Sequence, residues 1–150
     1  YNAIFFNTES FFRNKSYLIP KICIAAINAK KYNLKTEFGN LKISREWNWC
    51  PEQVKYLFSF IKKKPQDFIL SNGKSYTAIQ MLKFAFKHFN LNYKNYVLIN
   101  KEKFFRKKDM LKKKSAWRPC LKRNKINRKV LIYGNKMITK LIEHYLKKNY

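Results

Sequence analysis

Short apolar runs alternate along this chain with segments in which apolar residues recur at helical spacing, and this alternation constrains the fold most. The runs at residues 2–7, 38–41, 67–70 and 96–99 have the length of buried strands. Strands that alternate with helices in this way are typical of an α/β layer built from parallel crossovers. The sequence therefore predicts short, mostly parallel strands covered by helices.

Four segments show the i, i+3, i+4, i+7 spacing of a helix with one buried face. Pro20 stands where it can start the first helix, and Ser75 or Thr77 can cap the third, which ends near Asn90. The last predicted helix covers residues 137–148. The side chains predicted to face inward are Ile22, Ile24, Ala25, Ala26 and Ile27 in the first helix, Val54, Leu57, Phe58 and Ile61 in the second, Ile79, Leu82, Ala85, Phe86 and Phe89 in the third, and Met137, Ile138, Leu141, Ile142 and Tyr145 in the last.

The charge balance is strongly basic. A chain of 150 residues is predicted to form a single domain over 1–150, and its 34 Lys and Arg against eight acids give a net charge of +26. Half of that charge, +13, lies in a basic segment, residues 101–136. Such self-repulsion favours an RNA partner that neutralises it. The abundance of Lys, Asn, Ile, Phe and Tyr also fits an AT-rich genome, such as that of an organelle.

Cysteine and histidine usage gives no sign of a metal site or a disulfide framework. Cys23, Cys50 and Cys120 form no CxxC pair, which favours a reducing compartment, and the two histidines are isolated in the sequence. No apolar run approaches the length of a membrane span, so no membrane partner is predicted. The chain opens on Tyr1 rather than Met, so we expect it to be trimmed or to be one piece of a longer ancestor.

Several motifs at fixed spacing carry a family resemblance. The chain has NAIFFNTES at residues 2–10, GNL at 39–41, REW at 45–47 and SAWRP at 115–119. These are similar to the strand and loop Ile-Leu-Phe-Asn-His-Glu-Ser, the GNL, the Arg-Asp-Trp-Gly loop and the Leu-Gly-Trp-Lys-Pro of GDP-mannose 4,6-dehydratases. The chain thus resembles the carboxy-terminal half of these extended short-chain dehydrogenases/reductases, which implies a partial Rossmann-like fold. The basic extension predicted in addition is where this chain departs from the family.

The resemblance implies a hydride relay through NADP, but its catalytic Tyr, Lys, Thr and Glu and its Gly-rich turn belong to the amino-terminal half of such enzymes. Gly39, Gly73 and Gly134 are the only glycines here, so no GxGxxG turn can form, and we predict no cofactor and no enzymatic activity unless a separate chain supplies that half. Glu46 and Glu52 lack the spacing of a catalytic pair and are predicted to lie on solvated surface.

Three arginines match family positions near the cofactor or the GDP moiety. Arg13, Arg45 and Arg106 are therefore predicted as vestigial nucleotide-binding residues, because an Arg can bond two phosphate oxygens at once. Two departures from the family pattern accompany them. The family His is Thr8 here, and the Pro-Thr-Glu after Arg106 is replaced at residues 107–109.

The Lys- and Arg-rich stretch within residues 101–136 leads to two hypotheses. The first is a non-enzymatic structural RNA-binding protein of a mitochondrial ribosome, located in the matrix or in another AT-rich organelle, with rRNA and neighbouring proteins as partners. The second is the substrate-binding half of a split dehydratase, completed by a chain that supplies the amino-terminal half, for which the exposed edge of a narrow sheet argues. The predicted RNA-binding residues are Arg106, Lys107, Lys108, Lys112, Lys113, Lys114, Arg118, Lys122, Arg123, Lys125, Arg128 and Lys129.

Overall fold

A computed structural model describes residues 2–62, 64–65, 67–100 and 132–148. The elements in chain order are β1 (Ala3–Phe5), β2 (Asn7–Glu9), α1 (Leu18–Tyr32), β3 (Thr36–Phe38), β4 (Ser44–Arg45), β5 (Trp47–Trp49), α2 (Cys50–Ile61), β6 (Phe68–Leu70), β7 (Tyr76–Thr77), α3 (Ala78–Lys87), a 3-10 helix (Tyr93–Asn95), β8 (Val97–Ile99) and α4 (Gly134–Lys147).

The strands pair in parallel, as the sequence predicts. β1 pairs with β6, β2 with β5 and β3 with β8, all three in parallel, while β4 and β7 form one antiparallel pair. Only Phe6 separates β1 from β2, so one extended stretch of chain pairs with two different strands in succession. The predicted α/β class with short, mostly parallel strands is therefore confirmed.

Three helices form the main core. α1, α3 and α4 pack against one another in pairs, and their apolar faces meet in the middle. The prediction for the last helix is confirmed, since all five of its predicted inward side chains are no more than 1% exposed. In α1, Pro20 lies in the first turn, where its missing N–H leaves no hydrogen bond unmade.

The start of α3 shows why the helix begins where it does. The Thr77 hydroxyl accepts the N–H of Gln80 at 3.2 Å, and the Gln80 side chain accepts the N–H of Thr77 at 2.7 Å. This reciprocal capping box satisfies two N–H groups that would otherwise have no partner at a helix start. Of the two predicted caps, Thr77 is the one used.

The orientation of α2 differs from the prediction. Val54, Phe58 and Ile61 were expected to face inward, but they are 42%, 64% and 55% exposed. The helix buries Gln53 instead and packs Leu57 only partly. The periodicity identifies the apolar stripe correctly, but it does not say which surface covers the stripe, and nothing in the described part of the chain does.

Two further differences between the prediction and the structure concern where an element begins or ends. The strand expected at residues 38–41 lies earlier, at Thr36–Phe38, and the last helix begins three residues before 137, at Gly134. Most of the predicted basic segment, residues 101–131, lies outside the described residues, so the single domain over 1–150 stays a prediction. Among the described helices, none is both long and apolar enough to cross a membrane.

Candidate functional site

The carboxyl ends of β2 and β5 lie side by side, because their parallel register pairs Glu9 with Trp49. In open parallel sheets, ligands bind outside the carboxyl ends of the strands. The loop after β2 adds Phe11 and Arg13 to this edge, and the start of α1 adds Tyr17 nearby. We call Glu9, Phe11, Arg13, Tyr17 and Trp49 the strand-end cluster.

Glu9 is the buried acid of the strand-end cluster. Its side chain is 3% exposed, and Oε2 lies 3.9 Å from Nε of Arg13, which is an ionic contact too long for a hydrogen bond. Burial raises the pKa of Glu9 from its ordinary 4.5 to about 7, although the positive charge of Arg13 acts in the opposite direction. Glu9 is therefore partly protonated at neutral pH.

Arg13 is held from a second side by an aromatic ring. Its guanidinium carbon lies 3.8 Å from the centre of the Tyr17 ring, a cation–π distance. The Arg13 side chain is 37% exposed, and Nε is the atom that approaches Glu9. An Arg in this setting can bind an anion.

Cys23 of α1 lies close to Glu9 but is chemically inert. Its side chain is completely buried, and burial together with the charge of Glu9 raises the pKa of the thiol. A thiol with a raised pKa supplies little thiolate, which is the reactive form. Cys23 therefore acts as a small core residue. No cluster of metal-ligating side chains occurs within the described ranges.

Phe11 ties the loop after β2 to the last helix. Its ring lies 5.0 Å from the Trp49 ring, edge to face, and is stacked 4.2 Å from the His144 ring of α4. Desolvation by burial, followed by the positive charges of Lys148 and Lys147, lowers the pKa of His144. The neutral imidazole is therefore favoured, and the aromatic contact fixes the cluster against the three-helix core.

A second polar network joins the start of β5 to the turn after β6. The Glu46 carboxylate accepts the Ser71 hydroxyl at 2.9 Å and the N–H of Asn72 at 2.7 Å. The Asn72 amide in turn donates to the carbonyl of Trp47 at 2.8 Å. Glu46 is 4% exposed, so the prediction that it lies on solvated surface is wrong. The acid is buried because two donors of the turn satisfy it.

Glu52 is also not a free surface acid. Its two carboxylate oxygens accept the N–H of Ile132 at 3.0 and 2.8 Å, which fastens the chain before α4 to the first turn of α2. Thr8, which replaces the family His, lies 2.8 Å from Oε1 of the buried Gln53 and donates to the carbonyl of Phe6 at 3.0 Å. These contacts hold the strand that carries Glu9.

The three predicted nucleotide-binding arginines have different outcomes. Arg13 belongs to the strand-end cluster. Arg45 lies in β4, opposite Tyr76 of β7, and its Nη1 donates to the carbonyl of Ser44 at 2.9 Å. Arg106 lies outside the described residues, as do all the predicted RNA-binding residues, which fall within 106–129.

Sequence reasoning missed Glu9 and the network around Glu46. Glu9 and Arg13 are four residues apart across a strand end and a loop, a spacing that suggests an ion pair only in a helix. A weaker signal for Glu9 was present in the sequence. Glu9 follows an apolar strand, and ligand-binding side chains of parallel sheets occur at the carboxyl ends of strands.

Comparison with known proteins decides the family. Residues 1–142 match the family model described as GDP-mannose 4,6 dehydratase. The chain belongs to this family. It is 32% identical over 108 residues to GDP-mannose 4,6 dehydratase 2 of Arabidopsis thaliana, and the alignment covers 70% of this chain and 28% of that protein. This GDP-mannose 4,6 dehydratase family member thus spans less than a third of the length of the curated relatives it matches.

Several solved structures of sugar-nucleotide enzymes share the fold of this chain. dTDP-glucose 4,6-dehydratase from Bacillus anthracis, in complex with NAD, is 11% identical with a TM-score of 0.76, and the likeness covers 98% of this chain and 44% of that one. MoeE5, in complex with UDP-glucose and NAD, is 10% identical with a TM-score of 0.72 and coverage of 99% and 47%. The predicted partial Rossmann-like fold of the extended short-chain dehydrogenases/reductases is therefore confirmed.

The hypothesis of a ribosomal RNA-binding protein is wrong. The family model covers residues 1–142, including the basic segment on which that hypothesis depended, and the matched relatives are GDP-mannose 4,6 dehydratases. The error has a physical source, because a high density of Lys and Arg indicates that anions are favoured but does not say which anion. The dehydratase hypothesis agrees with these findings. The organellar location stays a prediction.

Proposed function

We propose that this chain is the sugar-nucleotide-binding half of a GDP-mannose 4,6-dehydratase-type enzyme, and that the half that binds NADP and carries out hydride transfer lies outside these 150 residues. The family match over residues 1–142 carries this proposal. The relatives of the same fold that contain both a sugar nucleotide and a dinucleotide, such as MoeE5, are about twice as long as this chain.

The residues present do not fit a dinucleotide, so no step through NADP is assigned to them. Binding a pyrophosphate at a strand-to-helix turn requires glycines, because a Cβ prevents the close approach of the backbone. β5 leads into α2 through Trp49 and Cys50, and β7 leads into α3 through Thr77 and Ala78. Neither turn contains a glycine.

The strand-end cluster is suited to the diphosphate of the sugar nucleotide. Arg13 lies in the loop at the carboxyl end of β2 and is partly exposed, and an Arg binds phosphate oxygens through two parallel hydrogen bonds. Glu9 competes with a phosphate for Arg13 only when ionised, and its pKa of about 7 leaves much of it neutral at and below neutral pH. Protonated Glu9 leaves the charge of Arg13 available to the ligand.

Isothermal titration calorimetry of the full chain with GDP-mannose tests this proposal. A protein of charge +26 attracts any polyanion, so the titration is repeated with inorganic pyrophosphate and in 0.3 M salt. We expect saturable 1:1 binding of GDP-mannose that survives the salt and exceeds pyrophosphate binding. Arg13→Gln should weaken it by about 10- to 100-fold, the value of one or two charge-assisted hydrogen bonds.

The matched control is Lys83→Gln, which removes one positive charge from an exposed position of α3. It should leave the affinity for GDP-mannose unchanged. If GDP-mannose binds no better than pyrophosphate, or if Arg13→Gln and Lys83→Gln weaken binding equally, the attraction is non-specific and the proposal is refuted.

A further inference from the structure

Phe12 is the most exposed large apolar residue in the part of the chain that the structure describes. It is 94% exposed, and the next in rank, Phe58, is 64% exposed. Phe12 lies in the loop after β2, directly between Phe11 and Arg13 of the strand-end cluster. The residue next to the Arg that we propose to bind the diphosphate therefore offers an aromatic ring to the solvent.

The backbone that carries Phe12 is held in place. The N–H of Arg13 donates to the carbonyl of Ser10 at 3.3 Å, and the N–H of Phe12 donates to the Ser10 hydroxyl at 3.2 Å, so residues 10–13 form a tight turn. Phe11 is fixed by aromatic contacts with β5 and α4, and Arg13 lies over the ring of Tyr17. The turn is therefore formed before a ligand arrives, which lowers the entropy that binding costs.

The surface around Phe12 is too small and too polar for a protein interface. A Phe buries about 200 Å², whereas a stable complex takes about 800 Å² from each partner. Residues 13–16, which follow Phe12, are Arg, Asn, Lys and Ser, so they extend no apolar patch from it. A single flat ring next to a cation instead matches a small ligand that has one aromatic face and one negative group.

We propose that Phe12 is the stacking platform for the guanine base of the sugar nucleotide, while Arg13 holds the diphosphate. This inference rests on the proposed function and adds the residue that binds the base. Consecutive Cα atoms are about 3.8 Å apart, so a diphosphate at Arg13 leaves the ribose to carry the base onto the neighbouring ring. Every base has an aromatic face, so we expect Phe12 to supply affinity without selecting guanine over adenine.

The mannose is the alternative partner of the Phe12 ring. Its hydroxyl groups need hydrogen-bond partners when they leave water, and a phenyl ring provides none. Stacking on the base covers a flat ring face and leaves the polar edge of the base open to other donors and acceptors. The base is therefore the better match. Mannose 1-phosphate, which has no base, is the ligand that separates the two.

Isothermal titration calorimetry of the full chain in 0.3 M salt, with GDP, GDP-mannose, mannose 1-phosphate and inorganic pyrophosphate, tests this inference. Phe12→Ala should weaken the binding of GDP and GDP-mannose by roughly 5-fold or more, the value of one stacked base, and leave the two ligands without a base unchanged. Phe12→Trp should keep the affinity for GDP. Phe12→Leu, which is apolar but not aromatic, should lose as much as Phe12→Ala. ADP should respond as GDP does.

The matched control is Tyr32→Ala, because Tyr32 is also an exposed aromatic, 61% exposed, but lies at the far end of α1. It should change no affinity. The variants of Phe12 leave the net charge of +26 unaltered, so non-specific attraction of anions cancels in the comparison. Because Phe12 is exposed, they should also keep the thermal midpoint of the parent chain.

Three results would overturn the stacking of the base on Phe12. These are an equal loss for all four ligands in Phe12→Ala, a loss for mannose 1-phosphate, or full affinity for GDP in Phe12→Leu. If Arg13→Gln weakens GDP-mannose binding and Phe12→Ala does not, the stacking is refuted and the proposed function stands. If GDP binds through Phe12 but GDP-mannose does not bind, the proposed function alone is refuted.

Discussion

The burial of Glu9 makes a quantitative prediction about pH. An acid whose pKa is raised from 4.5 to about 7 in the folded state costs about 3 kcal/mol when fully ionised, since each pKa step is about 1.4 kcal/mol. Between these two values the folded chain binds more protons than the unfolded chain. Its stability is therefore highest below pH 4.5 as far as Glu9 is concerned, and it falls as the pH rises to about 7.

Glu9→Gln removes this dependence, because a neutral amide of the same shape cannot ionise. At pH 8 we expect the variant to exceed the parent chain by about 3 kcal/mol, or roughly 6–12 °C in thermal midpoint for a chain of this size. At pH 4 the two should agree within about 1 kcal/mol. Urea unfolding followed by circular dichroism at both pH values measures the difference.

The comparison isolates Glu9 from the other groups that titrate. Glu52, with a raised pKa, and His144, with a lowered one, remain in both chains and cancel in the difference. Glu143→Gln, at an exposed position of α4, serves as the control and should follow the parent at every pH. If Glu9→Gln gives the same gain at pH 4 as at pH 8, or none at pH 8, then Glu9 is not a buried, ionising acid and the reasoning fails.

Substitutions at three further positions test how the fold is held together. Gly134→Ala should lower stability by about 1–3 kcal/mol in thermal unfolding, because its φ of +52° disfavours a side chain and the new Cβ would lie 2.8 Å from the Tyr76 ring. Glu52→Ala should cost about 1–3 kcal/mol by leaving the N–H of Ile132 without its acceptor. Glu52→Gln keeps a side-chain oxygen that can accept the N–H of Ile132, so it should recover most of the stability that Glu52→Ala loses. If the two variants lose the same stability, Glu52 does not act as this acceptor. Thr77→Ala should cost about 1 kcal/mol in urea unfolding, while Thr77→Ser should retain the cap.

The helices were predictable because their signals are local. The spacing of Met137, Leu141 and Tyr145 identifies a buried face from the sequence alone, since helix geometry places these side chains together wherever the helix packs. The cap at Thr77 is equally local. The sequence therefore predicted both the helices and their buried faces wherever the residues that cover those faces belong to the described part of the chain.

The features that the sequence failed to predict depend instead on contacts between residues far apart in the chain. Val54 and Phe58 have the right period, but their exposure depends on what lies beside α2, and no local pattern contains that information. Glu46 and Glu9 are acids in polar stretches, and their burial accompanies long-range contacts, with Asn72 for Glu46 and with Trp49 of β5 for Glu9. The basic composition was misread for the same reason, because charge alone carries no information about the shape of the anion it meets.

The continuity of β1 and β2 links the pairing of β1 with β6 to the position of the strand-end cluster. One extended stretch, residues 3–9, pairs with β6 in its first half and reaches the strand-end cluster at Glu9 in its second, with Phe6 as the junction. Side chains alternate between the two faces of a strand, so a shift of one residue at Phe6 would turn Glu9 away from Arg13. Whatever fixes the register of β1 against β6 therefore also fixes where the carboxyl of Glu9 lies.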